Sequence, residues 1–228
     1  MFVIGRRNLL LGGATLAALG AAGCGGGGNV GTGTTPDDMV LGEANAPVTM
    51  LEYGSTMCSH CRDFHEAVWE TLKRDFIDTG KVRFIWREML TGGPQPVPTI
   101  ALAQYQIARC GNASSEMYFN RIDEMFRQQR NIFAAGSMPG VRAILVSIGS
   151  NSGLSTDQID TCINDQTGAA RTERLNQLFF DDGKKTSLPQ EQLGTPLFFM
   201  NGEYVPTADI MTPETLASVI NAKIAAAG

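Results

Sequence analysis

Apolar positions follow three different rhythms along the 228 residues. Val48-Thr49-Met50-Leu51-Glu52-Tyr53 is a short, almost unbroken apolar run of the kind that makes a buried strand, and the turn-forming Gly54-Ser55 follows it. Phe64, Val68, Leu72 and Phe76 then recur every four residues, so they share one face of a helix expected from about residue 59 to 78, and its opposite face is charged. Gly80 suits a left-handed cap, and residues 81–86 predict a second strand. Strand, helix and strand in immediate succession imply a parallel pair. From Val97 to about Gly183 the period is helical, with helices expected at 100–108, 117–126, 141–148, 156–163 and 170–180, separated by Gly-, Ser- and Asn-bearing joints. Strand character returns at 196–200, and Asn201-Gly202 before Glu203 is a hairpin signal, because both residues tolerate the positive φ of a type I′ turn. Thr212 as N-cap and Pro213 at the first helical position open a last helix to about residue 226. The order is β-α-β, a helical block, then β-β-α.

The N-terminal stretch has a different character. Arg6-Arg7, the apolar run from Leu9 to Leu19 and the small residues ending at Gly23 have the layout of a removable signal peptide, residues 1–23. A transmembrane anchor is the alternative, although the run is glycine-rich and shorter than the roughly 20 apolar residues of a spanning helix. The paired arginines suit either general or twin-arginine export. Ala21-Ala22-Gly23-Cys24 resembles a bacterial lipoprotein box, with Ala where Leu is usual, and so implies lipidation of Cys24. Residues 24–36 form a Gly/Thr-rich tether, eleven residues of which would have a reach of about 17–20 Å. The expected location is the periplasm or cell envelope, with a lipid anchor at Cys24, where disulfides persist. The folded unit follows as 37–96, 97–188 and 189–228.

Composition narrows the function. With 43% hydrophobic and 18% charged residues the chain is not disordered. A net charge of −5 without a basic cluster cannot neutralise phosphates, which excludes nucleic acid as a partner. No dimerisation module is evident, so a monomer is expected.

Cys58-Ser59-His60-Cys61 lies where a strand passes into a helix, and a helix N-terminus presents unpaired N–H groups and the positive end of its dipole. A thiolate there is stabilised, so Cys58 is the expected nucleophile and Cys61 the resolving thiol, with His60 able to favour a negative sulfur when protonated. A thiol pKa of roughly 5 would favour the reduced pair by about 3 kcal/mol at neutral pH, or roughly 60 mV. Zinc held by Cys58, His60, Cys61 and His65 is the metal alternative, but ligands crowded on one helical turn converge poorly, and no metal or other cofactor is expected. Haem attachment needs His after the second Cys, where Arg62 stands. Glu52, six residues before Cys58 in an apolar strand, is costly there unless it has work or a partner; a strand-end carboxylate paired with lysine is the plainer reading. Pairing of Cys110 with Cys162 is the economical use of the remaining thiols and would contribute about 4 kcal/mol in the chain-entropy model; two buried free cysteines are the alternative. His65 reads as a helix-surface residue, Trp69 and Trp86 as packing, Met57 as a groove-lining residue for apolar substrate segments, and residues 92–98 as a rigid connector.

The stretch from Met39 to Met89, with Val40-Leu41-Gly42, Ala46-Pro47-Val48-Thr49, Glu52-Tyr53-Gly54-Ser55, the Cys58–Cys61 motif and Thr79-Gly80-Lys81-Val82, resembles the DsbA family of thioredoxin-fold thiol–disulfide oxidoreductases. So does the run from Gly194 through Thr195, Pro196 and Asn201 to Gly202. The resemblance implies an α/β thioredoxin fold with an inserted all-helical subdomain. It implies a cis peptide at Pro196, a Thr195 backbone that receives substrate as an added strand, and a buried acid at Glu52 serving the inner cysteine. The implied partners are reduced or unfolded exported proteins and a membrane quinone-linked reoxidase. One residue departs: the family's oxidases most often carry Pro where Ser59 stands. Introduction of disulfides is the expected activity. Reduction or isomerisation at the same site and a peptide-binding chaperone are the alternatives.

Overall fold

The structure is a computed structural model that describes residues 31, 33–90 and 93–227. The export segment and the Cys24 lipidation site lie outside the described residues.

Five strands form one mixed sheet in the order β1-β3-β2-β4-β5. They are β1 (Met39–Leu41), β2 (Val48–Gly54), β3 (Val82–Glu88), β4 (Leu197–Met200) and β5 (Glu203–Val205). The central strands β2 and β3 run parallel, from Val48 opposite Val82 to Gly54 opposite Glu88. Between them passes α1 (Ser59–Leu72), which ends in a wider π-type turn (Lys73–Ile77) where a continuous helix was expected. Gly80 closes this crossover at φ 72°. β4 pairs antiparallel with β2, and the Asn201-Gly202 turn into β5 has φ 50° and 84°, both positive as type I′ requires. Only β1 was not expected. Its three residues are too few to show a period, and its antiparallel pairing with β3 comes from tertiary contact.

Alternation along β2 decides where its side chains go. Val48, Met50 and Glu52 face one way, and Val48 and Met50 join the main core with Phe64, Val68 and Leu72 of α1. Leu51 and Tyr53 face the other way, against Ile85, Leu197, Phe199 and Phe179. The helical block between β3 and β4 comprises α2 (Val97–Arg109), α3 (Ser115–Ala134), α4 (Met138–Asn151), α5 (Thr156–Ile163) and α6 (Thr167–Gly183), and α7 (Pro213–Ala227) closes the chain against α1. This is the thioredoxin fold with a helical insertion.

One carboxylate fastens the insertion to the sheet. Glu88, at the end of β3 and fully buried, accepts hydrogen bonds from Arg109 Nε of α2 at 2.6 Å, Tyr118 OH of α3 at 2.9 Å and Arg171 Nε of α6 at 3.1 Å. Three helices therefore meet the same strand end through charge-assisted bonds. A second buried cluster ties Arg87 to Asp38, Tyr53 and Asp182 of α6. Within the insertion, a disulfide joins Cys110 and Cys162, with an S–S distance of 2.07 Å and Cα atoms 5.7 Å apart.

Candidate active site

Cys58 is the N-cap of α1, in extended conformation, and Cys61 lies in its first turn; both are free thiols. Cys58 keeps 9% of its surface exposed, whereas Cys61 is fully buried. The Ser55 amide donates to Cys61 Sγ at 3.4 Å, and Cys58 Sγ lies 3.2 Å from the carbonyl oxygen of Thr195, whose peptide bond to Pro196 is cis. The segment that leads into β4 thus delivers a main-chain carbonyl to the nucleophile from 137 residues away.

The two sulfurs have opposite electrostatic settings. A hydrogen bond from Cys61, a contact with Thr195 and the main-chain N–H groups of Cys61 and His60 outweigh burial and hold the Cys58 thiol down at about 5. Burial, together with the hydrogen bond to Cys58 and the charges of Cys58 and Glu52, pushes the Cys61 thiol well up. The pair is therefore one poised thiolate beside one retained thiol. The His60 side chain is exposed and lines the groove beside Pro196, and its backbone N–H at the helix start helps to lower the Cys58 thiol.

Glu52 is fully buried on the face of β2 that meets α1. Its partner is neither a lysine nor solvent. His65 Nε2 sits 3.4 Å from Glu52 Oε2, and burial pushes the Glu52 carboxyl up against the opposing pull of His65. The expectation of a surface histidine at 65 is accordingly wrong. The residue is 5% exposed, its ring stacked on Phe126 of α3 at 4.3 Å and edge-on to Trp86 at 5.7 Å. Asp63 and Glu66 beside it disguise a position that the insertion covers.

The insertion also holds the motif in place. Gln129 Nε2 donates to the carbonyls of Thr56 at 2.8 Å and Cys58 at 2.9 Å, while Arg62 donates to Gln129 Oε1 at 2.9 Å. Thr56 Oγ1 donates to Gln104 Oε1 at 2.7 Å. Gln104 and Gln129 are fully buried, and the sequence reading missed both. A glutamine in an otherwise apolar helical stripe was the available signal for Gln104. Gln129 fell beyond the predicted end of its helix.

A groove of about 500 Å³ runs from His60 past Thr195, Pro196 and Leu197 to Leu188, Tyr204 and Met211. Met57 is not part of its lining and is 4% exposed within the core, so an extended groove-lining role does not fit it. Among the described residues, no group of three acidic, histidine or cysteine side chains could hold a metal ion, and His65 turns toward Glu52.

Comparison with known proteins agrees with this geometry. The sequence matches the family model described as Thioredoxin over residues 34–222. A Rickettsia typhi protein bearing the name protein-disulfide oxidoreductase is 28% identical over 167 residues, which cover 73% of this chain and 55% of that protein. The chain therefore spans little more than half the length of that relative. The crystal structure of Wolbachia pipientis alpha-DsbA1 superposes with a TM-score of 0.66 at 25% identity, covering 85% of this chain and 94% of that one. Oxidised BdbD from Bacillus subtilis gives 0.66 at 19% identity, over 87% and 97% of the two chains, a likeness of fold. The chain belongs to the thioredoxin family, as a DsbA-like member with a helical block set between the two halves of the fold.

Proposed function

We propose that this protein is an exported thiol–disulfide oxidoreductase that introduces disulfides into reduced proteins through the Cys58–Cys61 couple. A substrate thiolate attacks Cys58 Sγ of the disulfide. The bond between the cysteines breaks, Cys61 leaves and takes the proton of Glu52. A second substrate thiolate then attacks the substrate sulfur of the mixed disulfide, and Cys58 departs as a thiolate. Two electrons have moved from substrate to the pair, and a membrane quinone-linked partner would remove them. The single observation that carries this reading is the Cys58 thiol held at about 5, since a low-pKa sulfur is a good leaving group and a stabilised thiolate favours the reduced pair.

In this reading Thr195 and Pro196 present main chain to the substrate as an added strand, and the groove beside them, with His60 at its edge, receives the neighbouring side chains. Cys110–Cys162 serves as a structural staple. Residues 1–23 direct export, Cys24 carries a lipid anchor, and the protein works as a monomer in the periplasm or cell envelope. Among the described residues, no helix is long and apolar enough to cross a membrane. Equilibration with glutathione tests the direction of transfer: the expected potential lies well above the roughly −270 mV of thioredoxin, and a value near that figure would reject the oxidase assignment.

A further inference from the structure

A buried acid that gives and takes protons must be recharged from outside, and Glu52 has no exposed surface through which to do it. Among the described residues, neither of its carboxylate oxygens has a hydrogen-bond partner. What stands between it and the surface is the His65 ring, with Nε2 3.4 Å from Glu52 Oε2 and both ring nitrogens buried and, among the described residues, without a hydrogen-bond partner. On its outer side His65 lines a cavity of about 520 Å³ between α1 and α3, together with Trp69, Asn120, Asp123 and Phe126. Exposed Glu70 and Arg74 also line this cavity.

We propose that His65 is a positioning residue for the exchange reaction, carrying the proton between Glu52 and the solvent of this cavity and holding Glu52 ready to accept the proton of Cys61. The proposal rests on the thiol–disulfide reading above and adds a residue to it. When the disulfide opens, the Cys61 thiolate takes the proton of the Glu52 carboxyl. The resulting carboxylate takes the proton on Nε2 of the neutral imidazole while Nδ1 takes one from solvent, which leaves the ring in its other tautomer. One proton has then passed from solvent to sulfur. Closing the disulfide runs the same transfers in reverse. Imidazole suits the task because its two nitrogens can bind and release protons on opposite sides of the ring.

The groups that set the charge around the ring come from three elements. Glu52 of β2 faces Nε2; at the start of α1 the Cys58 charge acts on Glu52, and the Glu52 charge acts on Cys61. Asp123 of α3 feels the His65 charge directly. Farther out, Glu66, Glu70, Lys73, Arg74, Asp78 and Arg127 line the cavity with both signs of charge. Removing the imidazole therefore removes the group whose pull opposes burial at Glu52, so the acid should hold its proton to higher pH.

The test uses His65→Ala and His65→Gln in the full chain. Reduced protein is mixed with glutathione disulfide, and tryptophan fluorescence follows the unimolecular step in which Cys61 resolves the mixed disulfide, from pH 5 to 8. Both variants should slow this step about 10-fold at pH 7 and move its pH midpoint upward by about one unit. Alkylation of Cys58 should stay within twofold of native. Free imidazole should restore the rate in His65→Ala by entering the space of the lost ring, while pyrazole, of the same size but a far weaker base, should not. Native rates and midpoints in both variants, or equal rescue by pyrazole, would overturn the proposal. Should His65→Ala fail to fold, the pH midpoint of His65→Gln decides. Glutathione exchange reads the cysteine pair whatever proteins it acts on, so a potential near that of thioredoxin would defeat the oxidase assignment and leave the His65 result standing.

Discussion

Replacing Cys58 by serine isolates the thiolate contribution, because the other groups that titrate in the relevant range, Glu52 among them, are present in both proteins. In the folded, reduced protein the thiol sits at about 5, whereas in an unfolded chain it returns to roughly 8.5. The folded value is the lower one, so ionisation stabilises the fold. The contribution is complete above about pH 8.5, and it disappears as the pH falls through 5. At pH 7 about two of the available units are expressed, or about 3 kcal/mol; at pH 5 less than about 1 kcal/mol remains. Serine cannot ionise, and any difference in its packing or hydrogen bonding is the same at both pH values. The stability gap between reduced native protein and Cys58→Ser should therefore widen by about 2 kcal/mol from pH 5 to pH 7 in urea unfolding under reducing conditions. The full contribution of about 3 kcal/mol at pH 7 moves the couple by roughly 60 mV toward oxidising power. Parallel pH profiles for the two proteins, together with slow iodoacetamide alkylation at neutral pH, would refute the reasoning.

Three further outcomes follow from the supports of the site. Glu88→Gln leaves Arg109 and Arg171 without their buried counter-charge and should cost about 3–5 kcal/mol in thermal or urea unfolding; a loss below about 1 kcal/mol would mean the insertion is held by packing alone. Gln129→Leu strips two donors from buried carbonyls of the active-site loop, so a loss of about 2–4 kcal/mol and faster amide exchange at residues 56–58 are expected. Removing both Cys110 and Cys162 as alanines should lower stability by about 4 kcal/mol in the chain-entropy model, with the rate of Cys58 alkylation unchanged; a changed rate would tie the cross-link to the active site.

The sequence was most informative where local chemistry decides the outcome. Ser155 and Gln158 form a reciprocal capping box, and the helix from Thr156 to Ile163 has the limits its pattern predicts. Asn201 and Gly202 prescribe their turn, and the four-residue spacing from Phe64 to Leu72 marks the face of α1 that enters the core. Where tertiary contact decides, local pattern fails. The run Arg127-Gln128-Gln129-Arg130-Asn131 interrupts the apolar stripe of α3 and reads as an ending, yet the helix continues to Ala134 because Gln129 is buried against the loop of the cysteine motif. His65 is misread for the same reason, since the rings that cover it include Phe126, 61 residues later in the chain. Glu52 stood out because an acid in an apolar strand demands a partner, but nothing nearby in the sequence names that partner.

Gln129 and Gln104 grip the active-site turn from helices that a bare β-α-β unit lacks. Anyone transplanting Cys58-Ser59-His60-Cys61 into a minimal scaffold would copy the letters and abandon the scaffolding that keeps them in posture. Conversely, redox behaviour in this protein should be tunable from surfaces that never meet a substrate, through the far ends of the helices that carry those two amides.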